Sequence, residues 1–333
     1  MSSIPYSRYL VYPVTWYSFL IVLGAALAIL LASREERRTE LKKDTIIDLS
    51  LWLLPFGIIG ARIYYVVFAW SEFRDDPVSV FRIWEGGIAI YGAIIAGIIV
   101  LLIFCRIRKI PPLLLCDCIA PGLALAQSIG RWGNYFNMEA YGARITNPAL
   151  CFFPLAVEIS GPAGNEWHMA TFFYESVLDF GIFLFLIASR RKLLKRRGDV
   201  FFFYLFLYAA GRLIVEDLRM DSLYASSNIR ISQMLSILLC LAIMIRYLYT
   251  YYRQKLIPKG SFVLLSCISV LLSAFILLFS VTTLFPFGTA LPTRILILAG
   301  YSLSMSLMFF LTYIHAKKAD EKNAYNEGQK LPL

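Results

Sequence analysis

The residues of this sequence best suited to chemistry are polar side chains set into strongly apolar segments. Tyr208, Arg212 and Glu216 recur every fourth residue, so on a helix they form one polar stripe. An ionisable side chain at membrane depth is costly unless it is paired or hydrated, and it usually marks a functional site. Taken alone, this stripe is equally explained by an Arg–Glu pair that neutralises itself.

A second polar group lies in residues 130–142, whose sequence is G-R-W-G-N-Y-F-N-M-E-A-Y-G. A guanidinium, two carboxamides and a carboxylate fall within nine residues, at Arg131, Asn134, Asn137 and Glu139. Glycines let a backbone approach a ligand closely, and carboxamides hydrogen-bond glycerol or phosphate oxygens. A tight turn capped by asparagines is the alternative. The density of polar groups favours a ligand site.

Composition shows what must position these groups. The chain has 333 residues, of which 59% are hydrophobic and 16% charged, which is too apolar for an ordinary soluble domain. Apolar stretches long enough to cross a bilayer recur along it. The predicted spans lie near 15–33, 45–70, 86–104, 111–129, 170–189, 199–217, 230–249, 261–285 and 293–314.

We therefore expect an all-α, polytopic transmembrane helix bundle of about nine spans. A seven-span core occupies residues 1–250 and carries an outer loop at about 130–169. Residues 251–316 form an accessory transmembrane hairpin, and residues 317–333 form a polar cytoplasmic tail without regular structure.

The net charge of +10 follows the membrane topology. Most of the 32 Lys and Arg residues follow odd-numbered spans, which is the pattern of cytoplasmic loops. This predicts an N-terminus outside the cell and a C-terminus in the cytoplasm. The basic residues are accounted for in this way, so nucleic acid is not an expected partner.

The same topology brings polar groups from five spans to the outer membrane surface. These groups include Tyr17, Arg62, Tyr91, Arg131 and Arg212. The four arginines Arg62, Arg131, Arg212 and Arg219 outnumber Glu139 and Glu216, which leaves positive charge to bind an anion. Arginine is suited to a forked grip on phosphate oxygens, so a phospholipid headgroup is the predicted ligand. His168, beside Trp167, is more often structural than chemical in such a setting.

Several motifs together resemble the prolipoprotein diacylglyceryl transferase family. The stretch 130–142 is similar to the family signature G-R-x-G-N-F-x-N-x-E-x-x-G. Other matches follow in family order: W-Y at 16–17, G-A-R-I-Y-Y-V-V-F at 60–68, W-E-G-G at 84–87, Y-E at 174–175, Y-A-A-G-R-L-I-V-E-D-L-R at 208–219 and I-S-Q at 231–233. The resemblance covers about residues 14–250, the seven predicted core spans.

The resemblance implies an enzyme of the bacterial plasma membrane, the first in lipoprotein maturation. It would transfer a diacylglyceryl group from phosphatidylglycerol to the lipobox cysteine thiol of a preprolipoprotein and release glycerol 1-phosphate. No cofactor or metal is implied. Arg131 and Arg212 would neutralise the phosphate as the C–O bond breaks.

The resemblance also gives roles to the remaining site residues. Glu139 and Glu216 would orient the arginines or help to remove the thiol proton. The headgroup site would be formed by Tyr17, Arg62, Asn134, Asn137, Gly142, Tyr208 and Arg219.

Two stretches depart from the family pattern. Tyr91 stands where the family has the His of H-G-G, and we expect its hydroxyl to hydrogen-bond the phosphate. Residues 169–175, M-A-T-F-F-Y-E, stand where the family has H-P-[ST]-Q-x-Y-E. A paralogue acting on another lipid or polyol phosphate is one alternative, and a non-catalytic lipid binder or transporter is another. Polar residues gathered at one face, without an internal repeat, favour the enzyme over the transporter.

Overall fold

The computed structural model describes residues 7–161, 164–220, 224–226, 229–281 and 291–328. Within them the chain forms nine α-helices. These are α1 (Trp16–Glu36), α2 (Thr45–Phe68), α3 (Ile90–Arg108), α4 (Pro112–Asn137), α5 (Thr171–Ser189), α6 (Asp199–Leu218), α7 (Ile231–Arg253), α8 (Lys259–Val281) and α9 (Leu291–Gly328). The predicted all-α polytopic bundle is confirmed.

Within the described residues, three short antiparallel hairpins accompany the helices. They are β1 (Tyr9–Val11) with β2 (Val14–Thr15), β3 (Ala156–Gly161) with β4 (Gly164–Met169), and β5 (Tyr224–Ser226) with β6 (Ile229–Arg230). The β3–β4 hairpin pairs Val157 with His168 and ends beside the first turn of α5.

Among the described residues, eight helices are long and apolar enough to cross a bilayer. The ninth, α6, has 20 residues but carries Asp199, Arg212, Glu216 and Asp217. Many aliphatic side chains of the other helices are exposed, including Leu51, Ile63 and Leu271, as expected of surfaces that face lipid. The protein is a multi-pass membrane protein.

Two predicted boundaries differ from the structure. α4 continues to Asn137, so the outer loop does not begin at 130. α9 continues to Gly328, so the expectation that residues from 317 onward lack regular structure is wrong as far as 328. At about 1.5 Å per residue, the 38 residues of α9 exceed the ~30 Å of a bilayer core, and the polar end of the helix extends beyond it.

The chain divides into two compact units. Unit 1 comprises Met1–Val22, Gln127–Leu186 and Phe202–Leu333, and unit 2 comprises Leu23–Ala126 and Ile187–Phe201. In unit 2, Gly60 and Gly92 allow α2 and α3 to touch, since a Cβ at Gly92 would lie 2.9 Å from the Cα of Ala61.

Asp117 of α4 has a structural role in unit 2. Its carboxylate accepts hydrogen bonds from the backbone N–H groups of Gly198 and Phe201, at 2.5 and 2.9 Å. These are the orphan N–H groups at the start of α6, so Asp117 caps that helix from a distant part of the chain.

In unit 1, aromatic residues hold α9 against α6 and α7. The ring of Phe309 stacks on that of Phe206 with centroids 4.4 Å apart, and Tyr313 meets Phe203 edge-on at 5.0 Å. Ser302 Oγ donates to the carbonyl oxygen of Ala210 at 2.9 Å. α9 therefore packs along much of the length of α6.

Candidate active site

Three arginines of unit 1 meet at one buried carboxylate, that of Glu175. Arg131 of α4 places its Nε 2.5 Å from Glu175 Oε2, and Arg212 of α6 donates its Nη1 to Oε1. Arg219, which follows α6, lies 3.4 Å from the same Oε1 through its Nη1. Glu175 is 4% exposed, so the paired charges lie largely out of solvent. Three chain segments are joined through this one side chain.

Arg212 also bonds along its own helix. Its Nη2 lies 2.5 Å from Oε2 of Glu216, one turn later, so the stripe predicted on α6 forms with the expected spacing. Tyr208, one turn earlier, lies within electrostatic range of Arg131 and Arg212. The Arg212–Glu216 pair considered from sequence therefore exists, but Arg212 also binds Glu175.

A third carboxylate lies one turn beyond Glu175 on α5. Asp179 is buried and interacts electrostatically with Arg131 and Arg212. Within the described part of this cluster, three guanidiniums thus face three carboxylates. The numbers of arginines and carboxylates among these six side chains are equal, so the surplus of positive charge inferred from sequence is not found here. A phosphate would have to be bound by N–H donors that the carboxylates leave unused.

Arg131 supplies such donors. Its contact with Glu175 uses Nε, and among the described residues no hydrogen-bond partner is found for its two Nη nitrogens. The side chain of Arg131 is 20% exposed, in contrast to 5% for that of Glu175. A guanidinium whose Nε contacts a carboxylate keeps its two Nη nitrogens as donors that could bind an oxyanion in a bidentate manner.

The polar residues that end α4 form a second cluster. Asn134 and Asn137 both donate their Nδ2 to Oε1 of Glu139, at 2.9 and 3.3 Å. Arg8, which precedes β1, donates to Oδ1 of Asn137 at 3.2 Å. Glu139 is therefore held by two carboxamides just beyond the helix end.

Glycines in the signature serve helix packing. A Cβ at Gly133 would lie 2.6 Å from Cδ2 of Tyr17, so the absence of a side chain lets Tyr17 pack closely against α4. One turn further along α4, Phe136 stacks on Trp16 at 5.0 Å. Tyr17 interacts electrostatically with Arg131 and Glu139, which places it beside both clusters.

Gly142 lies in a segment bound on two sides. Its N–H donates to the carbonyl of Met169 at 2.9 Å, and the next N–H, of Ala143, donates to the carbonyl of Leu218 at 3.2 Å. His168 is buried, and its Nδ1 lies 2.9 Å from the Gly142 carbonyl oxygen. This geometry ties β4 to the end of α6 and gives His168 a structural setting.

Arg62 and Tyr91 belong to unit 2. Arg62 is 7% exposed, and its guanidinium donates to the backbone carbonyls of Ser79, Val80, Gly86 and Gly87 at 2.6–2.8 Å. Tyr91 packs at a tilt against Tyr64. Arg62 thus holds the connection between α2 and α3, and a role for either residue in substrate binding stays a prediction.

Sequence reasoning missed Glu175 as a site residue, although the Y-E pair was part of the resemblance. The available signal was the spacing of Glu175 and Asp179 by four, which puts two carboxylates on one face of an otherwise apolar α5. Those carboxylates pair with arginines that outnumber their partners when only Glu139 and Glu216 are counted.

The protein is of the multi-pass membrane class and holds a buried arginine–carboxylate cluster in unit 1. Comparison with known proteins identifies its family. The sequence model of prolipoprotein diacylglyceryl transferase matches residues 7–249, and the chain belongs to that family. The family prediction is confirmed.

Curated relatives agree along most of their length. The chain is 45% identical over 249 residues to the phosphatidylglycerol–prolipoprotein diacylglyceryl transferase of Lactobacillus gasseri, covering 74% of this chain and 89% of that protein. The Enterococcus faecalis protein of the same name is 45% identical over 233 residues, or 69% and 84% of the two chains. That of Limosilactobacillus reuteri is 44% identical over 250 residues, or 74% and 90%.

Proposed function

We propose that this protein transfers a diacylglyceryl group from phosphatidylglycerol to the cysteine thiol of prolipoproteins. The thiol sulfur forms a thioether bond with the glycerol carbon, the C–O bond to phosphate breaks, and glycerol 1-phosphate leaves. The acceptor is the lipobox cysteine of the preprolipoprotein signal peptide. The supporting observation is the guanidinium of Arg131, whose Nε contacts Glu175 and whose two Nη nitrogens have no hydrogen-bond partner among the described residues.

Arg131 and Arg212 stabilise the leaving phosphate. Negative charge grows on the phosphate oxygens as the C–O bond lengthens, and fixed guanidiniums in a water-poor site bind that charge without reorganising. Glu175 and Glu216 hold Arg212 by both Nη atoms. Tyr208, in the middle of α6, and Arg219, which follows that helix, also contribute. Tyr17, Asn134, Asn137, Glu139 and Gly142 shape the headgroup site.

The thiol must lose a proton. An unperturbed cysteine has a pKa of about 8.5, so a minority thiolate exists near neutral pH, and nearby guanidiniums increase it. Glu139 and Glu216 are the carboxylates proposed to accept the proton, while Tyr91 donates a hydrogen bond to the phosphate. Equal turnover of Tyr91→Phe and the unaltered protein would remove Tyr91 from the site.

The site lies at the outer face of the bacterial plasma membrane, with the N-terminus outside and the C-terminus in the cytoplasm. The distribution of Lys and Arg supports this orientation. Residues 1–250 form the transferase core, and residues 251–316 form an additional hairpin.

The function is tested with purified protein in proteoliposomes containing phosphatidylglycerol, to which a peptide bearing a lipobox cysteine is added. Mass spectrometry should show the thioether-linked diacylglyceryl adduct, and the same peptide with Ser in place of Cys should remain unmodified. Vesicles of phosphatidylethanolamine distinguish a paralogue with another lipid donor. Folded, lipid-binding protein that yields no adduct from phosphatidylglycerol would contradict the proposal.

A further inference from the structure

The hairpin α8–α9 lies outside the part of the chain matched by the family, which ends at residue 249. α9 nevertheless contacts the helix that carries the site. Three contacts follow in antiparallel order along α6: Phe309 stacks on Phe206, Ser302 donates to the carbonyl of Ala210, and Arg294 binds Asp217. The last contact lies beside the active site.

Asp217 is the neighbour of Glu216 in the chain. Its side chain is 1% exposed, and its Oδ1 accepts a hydrogen bond from Nη2 of Arg294 at 2.7 Å. Arg230, at the start of α7, lies 3.3 Å from the same Oδ1 and also donates to the carbonyl oxygen of Glu216. One buried carboxylate therefore joins the end of α6 to both α7 and α9.

Adjacent helix positions point about 100° apart, because an α-helix has 3.6 residues per turn. Glu216 points to Arg212, and Asp217 points to Arg294 and Arg230. The two acids therefore fix the rotation of the last turn of α6 from two sides. That turn carries Glu216, which contacts Arg212 one turn earlier, and Arg219 follows it directly.

We infer that Arg294 of α9 is a positioning residue for the active site: through Asp217 it sets the rotation of the last turn of α6, and so places Glu216 and, through the contact of Glu216 with Arg212, the Arg212 guanidinium. The helix pair α8–α9 then serves as a brace for the catalytic helix. The expected kinetic effect rests on the proposed function, whereas the expected structural effect rests on the Arg294–Asp217 ion pair alone.

The kinetic test uses Arg294→Gln and Arg294→Lys in the proteoliposome assay. Misplacement of a catalytic group by about 1 Å can cost roughly a hundredfold in rate, and we expect Arg294→Gln to lower kcat about tenfold. KM for phosphatidylglycerol should change less than about twofold, since Arg131 is not held by this pair. Arg294→Lys keeps the charge and should recover most of the loss. The matched control is Arg253→Gln, an exposed arginine at the far end of α7, which should leave kcat unchanged.

Asp217→Asn completes a double-mutant cycle. If Arg294 acts through Asp217, the double variant should lose little more activity than Asp217→Asn alone, whereas independent effects would multiply. Wild-type kcat in Arg294→Gln, or multiplied losses in the double variant, would overturn the inference.

A second measurement separates this inference from the proposed function. Hydrogen exchange of the peptide covering residues 213–219 should accelerate in Arg294→Gln and not in Arg253→Gln, whether or not the assay detects transfer. A wild-type protein without transfer activity would contradict the proposed function. Unchanged exchange in residues 213–219 would overturn the brace itself.

Discussion

Nε of Arg131 lies 2.5 Å from Oε2 of Glu175, which joins the C-terminal part of α4 to the N-terminal part of α5. Arg131 lies six residues before the end of α4, and Glu175 is the fifth residue of α5. The contact orients the guanidinium through Nε, and the two Nη nitrogens are the donors that we propose for the ligand. Glu175 is thus a structural anchor and the resting counter-ion of the site.

Removing that counter-ion should affect both folding and turnover. Glu175→Ala leaves three arginines without their shared carboxylate, and breaking a buried ion pair costs about 3–5 kcal/mol. We expect a lower thermal midpoint in detergent and no detectable transfer. Glu175→Gln keeps the shape and should recover part of the stability without restoring activity.

The control for this prediction is Asp48→Asn, which breaks an exposed pair with Arg108 in unit 2. Exposed pairs contribute about 0–1 kcal/mol, so its midpoint should stay close to that of the unaltered protein. Equal midpoints for Glu175→Ala and Asp48→Asn would show that the arginines do not depend on Glu175.

Arg131→Lys separates charge from geometry. Lysine keeps the positive charge but cannot hold Glu175 by one nitrogen while presenting two others to a phosphate. Loss of one preorganised donor to a developing oxyanion costs roughly 10²–10³ in rate, and we expect kcat/KM to fall by about that factor. Steady-state assays over a range of phosphatidylglycerol content measure it. Full activity of the lysine variant would mean that only the charge of Arg131 matters.

Gly142→Ala should disturb the junction between β4 and α6. A Cβ at this position would lie 2.7 Å from the carbonyl oxygen of Leu218 and 2.8 Å from Cβ of Met169. Because backbone would have to move, we expect a lower thermal midpoint and reduced transfer. Gly181→Ala in α5 is the matched control, since nothing lies within 4 Å of its added Cβ and alanine favours a helix by about 1 kcal/mol over glycine. A midpoint for Gly142→Ala as high as that of the control would refute the crowding.

The sequence predicted the helices well, because hydrophobic length is a direct demand of the bilayer. It ended α4 too early, at 129, because Arg131, Asn134 and Asn137 resemble a loop. The helix continues there because Gly133 admits Tyr17 and Arg131 is neutralised by Glu175. These are tertiary contacts, and no local pattern contains them.

The site could be predicted only in part for the same reason. Spacing placed Arg212 and Glu216 together, since four residues make one turn of a helix. The meeting of Arg131, Arg212 and Arg219 at Glu175 depends on how three segments pack. Residues that meet because separate helices pack together have no characteristic spacing in the sequence, so the sequence gives no sign of their contact.

Arg62→Gln should release the connection between α2 and α3. Arg62 donates to four backbone carbonyls of residues 79–87 and lies 4.9 Å from the ring of Phe73, so its loss leaves several buried acceptors unpaired. Trypsin should then cleave faster after Arg82, whose side chain is already 34% exposed and lies within this segment. Arg108→Gln removes an exposed arginine of the same unit and should leave that cleavage rate unchanged. Glutamine can replace at most two of the donors, so a cleavage rate in Arg62→Gln equal to that of the control would show that the segment is held by other contacts.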